Sequence, residues 1–139
     1  MSKPVLIVGG GPAGLAAAHS LGTVGRECVI VEKEDILGGA PILSGYAKLV
    51  PTGEWARDAI GGMVKRVEDE DNVTVETGAT VSQFDGTPGN FTATLSNGKS
   101  IDTEAVILCS GFTHFDSVNK PEWALEPTKM LLQRPRSSK

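Results

Sequence analysis

Val5-Leu6-Ile7-Val8-Gly9-Gly10-Gly11-Pro12-Ala13-Gly14 decides how this chain reads. A β-branched, aliphatic run ends in glycine, and an alanine-rich segment without helix breakers, Pro12 to Leu21, follows it. Strand, turn and helix succeed one another. The turn is a complete Gly-x-Gly-x-x-Gly. Gly9 permits the tight reversal, Gly11 lets main chain approach a pyrophosphate with no Cβ in the way, and Gly14 allows helix and strand to pack closely. Phosphates then lie at the helix start, beside Pro12 and Ala13, where free N–H groups and the helix dipole favour negative charge.

Working outward, Ala18 is small where the helix must cross a sheet, and Gly22 and Gly25 close the connection. Glu27 to Glu32 is a second short apolar run with the composition of a buried parallel strand. Glu32 ends it, 18 residues beyond Gly14. An acid there accepts the hydroxyl protons of an adenosine ribose and repels a 2′-phosphate, so the motif implies a dinucleotide other than NADP.

Asp35 to Gly53 is rich in Gly and Pro and reads as a ligand-lining loop. Glu54 to Glu70 has helical spacing, with Ile60, Met63, Val64 and Val67 on one face. From Asn72 to Asp102 short alternating runs, Val73 to Glu76, Ala79 to Phe84, Phe91 to Leu95 and Ser100 to Ile101, predict an antiparallel meander. Its Asn97-Gly98 pair suits a type I′ hairpin turn. Ala105 to Cys109, apolar throughout and followed by Ser110-Gly111, reads as a further buried parallel strand ending at the edge where the first one ends.

The 139 residues have room for one domain. Seventeen glycines exceed the usual ~7%, in keeping with many tight turns and close approaches. No apolar run reaches the ~20 residues of a membrane span, and Val5 to Val8 is too short for a signal peptide, so a cytoplasmic protein is expected. A net charge of −4 gives no electrostatic reason for a nucleic-acid or membrane partner. Cys28 and Cys109, the only cysteines, are expected as free thiols, and with no Cys-x-x-Cys or Cys/His cluster no metal site is expected.

The continuation Glu32-Lys33-Glu34-Asp35-Ile36-Leu37-Gly38-Gly39 places a glycine pair shortly after the ribose-binding acid. With it the chain resembles the two-dinucleotide-binding-domain flavoproteins of the glutathione reductase and thioredoxin reductase type. The resemblance implies a Rossmann-like α/β fold, a parallel sheet with helices on one face and a small antiparallel meander on the other, and FAD as cofactor. It implies cofactor contacts at Gly9, Gly11, Pro12, Ala13, Gly14, Glu32, Lys33, Gly38 and Gly39. It also puts Ser110 and Gly111 near the pyrophosphate, where the family has the end of Ala-Thr-Gly.

A narrower likeness lies in Ser110-Gly111-Phe112-Thr113-His114-Phe115-Asp116 and Lys120-Pro121-Glu122-Trp123. These resemble the segment after Ala-Thr-Gly in the flavin subunit of heterodisulfide reductases and their sulfur-oxidation relatives. That likeness implies electron transfer between a thiol or disulfide system and iron–sulfur partner subunits, or a partner completing the flavin domain, or a homodimer. No cysteine occurs in Ala40 to Trp55, where the methanogen-type subunit carries them, and the family's later strand ending in Gly-Asp does not appear. The expected division is a flavin domain over 1–123 and a basic, disordered tail over 124–139.

His19 is expected on the surface, His114 near the cofactor edge, and Tyr46, Trp55 and Phe112 are rings able to stack on a base or flavin. Two other readings fit the same residues: a non-catalytic ADP- or FAD-binding fragment that needs a partner chain, and a stand-alone NAD-binding module.

Overall fold

The computed structural model describes residues 3–43 and 48–111. Its elements are β1 (Val5–Val8), α1 (Pro12–Thr23), β2 (Cys28–Glu32), α2 (Ala40–Leu43), α3 (Ala56–Glu68), β3 (Val73–Thr77), β4 (Val81–Thr87), β5 (Asn90–Leu95), β6 (Ser100–Thr103) and β7 (Ala105–Leu108). Four of the strands form a parallel sheet in the order β3-β2-β1-β7, and β4-β5-β6 form a separate antiparallel sheet.

Two cores meet on opposite faces of the parallel sheet. Val5, Ile7, Cys28 and Ile30 pack with Leu15 and Ala18 of α1 and Ile60 and Val67 of α3. Leu6 and Val31 pack with Ala79, Ala93 and Leu95 on the meander side. Successive residues of a strand point to opposite faces, so β1 sends alternate side chains into different cores. That is why β1 and β2 read as unbroken apolar runs, and why the sheet carries helices on one side and the meander on the other.

The helices obey their end signals. Past α1, Gly25 takes φ 77°, its N–H donates to Gly22 O over 3.0 Å, and Arg26 N–H donates to Leu21 O over 2.9 Å. This is a Schellman ending. Gly22 itself lies inside the helix, so Gly25 alone of the expected pair makes the stop. In α3, Ile60 and Val67 are buried with Met63 and Val64 half-buried beside them, as their spacing requires.

Three expectations are revised. The run at Val73 joins the parallel sheet instead of the meander, pairing with β2 from Cys28↔Val73 to Glu32↔Thr77. As an edge strand covered on one face it alternates like an antiparallel strand, which is what made the two indistinguishable. The Asp35–Gly53 stretch holds the short helix α2, which starts directly after two left-handed glycines. The β5–β6 hairpin has the three-residue loop Ser96-Asn97-Gly98, closed by Leu95 N–H to Lys99 O, with Gly98 at φ 89°. That geometry is a three-residue turn with a left-handed glycine, not the two-residue type I′.

The meander is fastened to β1 by buried Thr103, whose Oγ1 accepts from Leu6 N–H at 3.1 Å and lies 2.7 Å from the carbonyl oxygens of Pro4 and Ala105. Among the described residues no helix is long and apolar enough to cross a membrane.

Candidate functional site

From β1 the chain leaves through α1 to β2 on one side, while β7 lies on the other. The crevice beyond the carboxyl ends of β1 and β7 is therefore the point where strand order reverses, the place open α/β sheets present to ligands. The glycine turn fills its floor.

Gly9 has φ 114°, and a Cβ there would lie 2.0 Å from Cys109 O and 3.2 Å from Ser110 Cα. The end of β7 thus closes directly onto the turn, an approach only glycine admits. Gly9 N–H donates to Val31 O and Cys109 N–H to Val8 O, both over 2.8 Å. At Gly14 a Cβ would meet Gly9 O at 1.9 Å and Ile7 Cγ2 at 3.4 Å, so α1 rests on the strand's own main chain.

α1 starts at Pro12 with Gly11 as its N-cap, no side chain caps it, and its first turn carries no acid. Pro12 has no N–H to offer, so the turn's remaining donors include the amides of Gly11, Ala13 and Gly14. These with the dipole make an anion cradle.

Glu32 ends β2 and is 7% exposed. Its Oε1 accepts Gly10 N–H over 2.7 Å and its Oε2 accepts Glu34 N–H over 2.8 Å. Each oxygen of a carboxylate has two lone pairs, so both keep acceptor capacity for a sugar hydroxyl. The second glycine pair is joined to the same turn. Gly38 N–H donates to Gly10 O over 2.8 Å, and a Cβ on Gly39 would lie 2.8 Å from Gly11 Cα.

Gly9, Gly11, Pro12, Ala13, Gly14, Glu32, Gly38, Gly39 and Ser110 are thus brought together around one turn. Lys33 is exposed, and Gly111 has φ 77° with nothing within 4 Å of where its Cβ would stand, so these two are not locked into the cluster. Tyr46, Phe112, His114 and the 124–139 tail lie outside the described residues. Trp55 is exposed, with Lys48 Nζ 5.0 Å from its ring centroid, so the ring faces a cation. His19 is half-exposed, its Nδ1 3.7 Å from Glu70 Oε2.

Sequence reasoning missed Gly10, the Glu34 amide and Leu37. Gly10 occupies an x position of the motif, where no glycine is required, and that superfluous glycine was the available signal. Cys28 and Cys109 are both free thiols. Burial, with a contribution from the Glu70 carboxylate, holds the Cys28 thiol above its ordinary pKa.

Residues 4–106 match the family model described as FAD dependent oxidoreductase. This chain belongs to the FAD dependent oxidoreductase family. It is 35% identical over 110 residues to one of the CoB--CoM heterodisulfide reductase iron-sulfur subunits of Methanopyrus kandleri, a match covering 78% of the chain and 16% of the relative. With the like-named protein of Methanocaldococcus jannaschii it shares 37% over 95 residues, 68% of the chain and 14% of the relative. The chain therefore spans under a fifth of the length of these relatives. Among solved structures, L-proline dehydrogenase from P. horikoshii superposes with TM-score 0.72 at 22% identity over 84% of this chain and 24% of that one. Lactococcus lactis thioredoxin reductase gives 0.70 at 18% identity over 83% and 37%. These two likenesses establish the Rossmann-like fold.

FAD is the family's cofactor, and the residues present suit its ADP half. The helix start lacks a side-chain cap, the glycine turn is bare of Cβ atoms, and Glu32 is held with acceptor capacity to spare.

Proposed function

We propose that this chain is the FAD-binding module of an oxidoreductase, transferring electrons in a thiol, disulfide or sulfur system like that of the heterodisulfide reductases. The observation that carries the reading is the fixed Glu32 carboxylate beside an uncapped helix start at the switch point of the sheet. Gly11, Pro12, Ala13 and Gly14 form the floor on which the pyrophosphate lies, with the amides of α1 donating to it. Glu32 accepts from the adenosine ribose. Gly38 and Gly39 give a bare backbone surface toward the ribityl chain, Ser110 and Gly111 border the phosphates from β7, and Lys33 flanks the ribose. When bound, FAD supplies the hydride or electron transfer, while the protein orients it and excludes competing reactions.

The partners proposed are iron–sulfur subunits or a chain that completes the flavin site. Support comes from the relatives, which are themselves subunits whose names include iron–sulfur and ferredoxin. Purification from the source cell tests this. A yellow protein with stoichiometric FAD and co-purifying subunits is expected. A colourless protein that binds ADP alone points to a binding fragment, and NAD binding without flavin overturns the proposal.

A further inference from the structure

Gly10 is bare for want of space, not for backbone reasons. Unlike Gly9, Gly38 and Gly39 it does not adopt positive φ, so any L-residue suits its main chain. A Cβ there would stand 2.5 Å from Leu37 Cδ2, 3.1 Å from Glu32 Oε1 and 3.3 Å from Glu32 Cβ. The same residue donates its N–H to Glu32 Oε1 and accepts at its carbonyl from Gly38 N–H. Leu37 is 6% exposed and packs in the helix-side core with Ile60 and Ile42 beside it. A Cβ at position 10 would therefore press first on the end of the Leu37 side chain and next on Glu32.

From this we infer that Gly10 and Leu37 are a positioning pair that sets the site's preference for the ribose 2′-hydroxyl, acting through Glu32. Leu37 fills the volume over Gly10 and holds the Gly38–Gly39 segment of the loop down on the turn. Gly10 in turn holds one oxygen of Glu32, and Glu34 N–H holds the other. The carboxylate is fixed at both oxygens, so its remaining lone pairs point in one set of directions. A Cβ at position 10 moves Leu37 or Glu32 and misaims those lone pairs, while the phosphate amides of α1 stay in place. The Gly10–Leu37 pair thereby governs selectivity among nucleotides more than affinity for phosphate. The inference rests on the nucleotide reading above.

Calorimetric titration of the full chain with ADP and with 2′-deoxy-ADP separates the two. A hydrogen bond to a charged group is worth ~10-fold or more in affinity, so the wild type is expected to favour ADP by about that factor. In Gly10→Ala the preference falls to about 3-fold or less, with ADP affinity falling by a larger factor than 2′-deoxy-ADP affinity. In Gly10→Ala/Leu37→Ala, where the smaller side chain makes room, at least half of the lost preference returns. A preference unchanged in Gly10→Ala overturns the inference, as does a double variant no better than the single one. Should Gly10→Ala not fold, the folded double variant is compared with Leu37→Ala, and equal preferences in the two support the pairing while a preference absent from the double variant alone overturns it. A wild type that binds neither nucleotide, or does not discriminate, refutes the nucleotide reading instead.

Discussion

Oε1 of Glu32 lies 2.7 Å from the amide nitrogen of Gly10, which joins the last residue of one strand to the turn that follows another. The acid is thereby part of the framework as well as the group proposed to hold the ribose. In Glu32→Ala the Gly10 and Glu34 amides lose their acceptor. Each unsatisfied group costs about 1–3 kcal/mol, so urea unfolding is expected to show a loss of about 2–6 kcal/mol, alongside a fall in ADP affinity of roughly 10-fold or more. Glu32→Gln, which keeps the volume and one acceptor, falls between. An unaltered unfolding midpoint in Glu32→Ala would contradict the framework role.

Gly14→Ala probes the contact between α1 and the turn. The new Cβ would stand 1.9 Å from the main-chain oxygen of Gly9, an atom that cannot swing aside. Overpacking of this kind costs about 1–3 kcal/mol, sometimes more, and here it also shifts the phosphate floor. Stability is expected to drop and, on the proposed reading, ADP binding with it. Gly25→Ala is the contrast: φ 77° with open space around it, so about 1–2 kcal/mol of backbone strain with ADP affinity retained.

Gly61 and Gly62 lie inside α3 with nothing within 4 Å of where a Cβ would stand and no positive φ. Glycine in a helix interior costs about 0.5–1 kcal/mol relative to alanine. Each change to alanine should therefore raise stability by that amount, measured by thermal or urea unfolding. A destabilised Gly61→Ala would show that this helix face is not free.

Cys28 gives a pH dependence with a definite sign. Its thiol is held above the ordinary 9.0, first by burial and then by Glu70. A group whose folded pKa is raised contributes stability that is complete below the unfolded value and disappears as pH climbs through the folded one. Between pH ~8 and ~10 the wild type is expected to lose more unfolding free energy than Cys28→Ala. Parallel curves for the two proteins would remove Cys28 as the cause. Alkylation should also reach half-buried Cys109 before buried Cys28.

The close-packed glycine turn, the acid at the end of β2 and the two-sided sheet were legible because each rests on a local rule: a glycine where a Cβ collides, an acid at a strand end, an unbroken apolar run between two cores. Val73–Thr77 was not, since its alternation is shared by meander strands and by a parallel edge strand, and only long-range pairing with β2 separates them. Gly10 and Leu37 escaped for a similar reason. Their meeting depends on how the loop after β2 folds back, which no spacing of residues encodes.

Thr103 and the two cores leave β1 enclosed by β2 and β7 at its sides and by packed layers above and below. Its amide protons should be among the last of the described chain to exchange with deuterated solvent, because opening them requires breaking both layers together. The glycine turn, rooted in so protected a strand, has little disorder to give up in binding the proposed nucleotide.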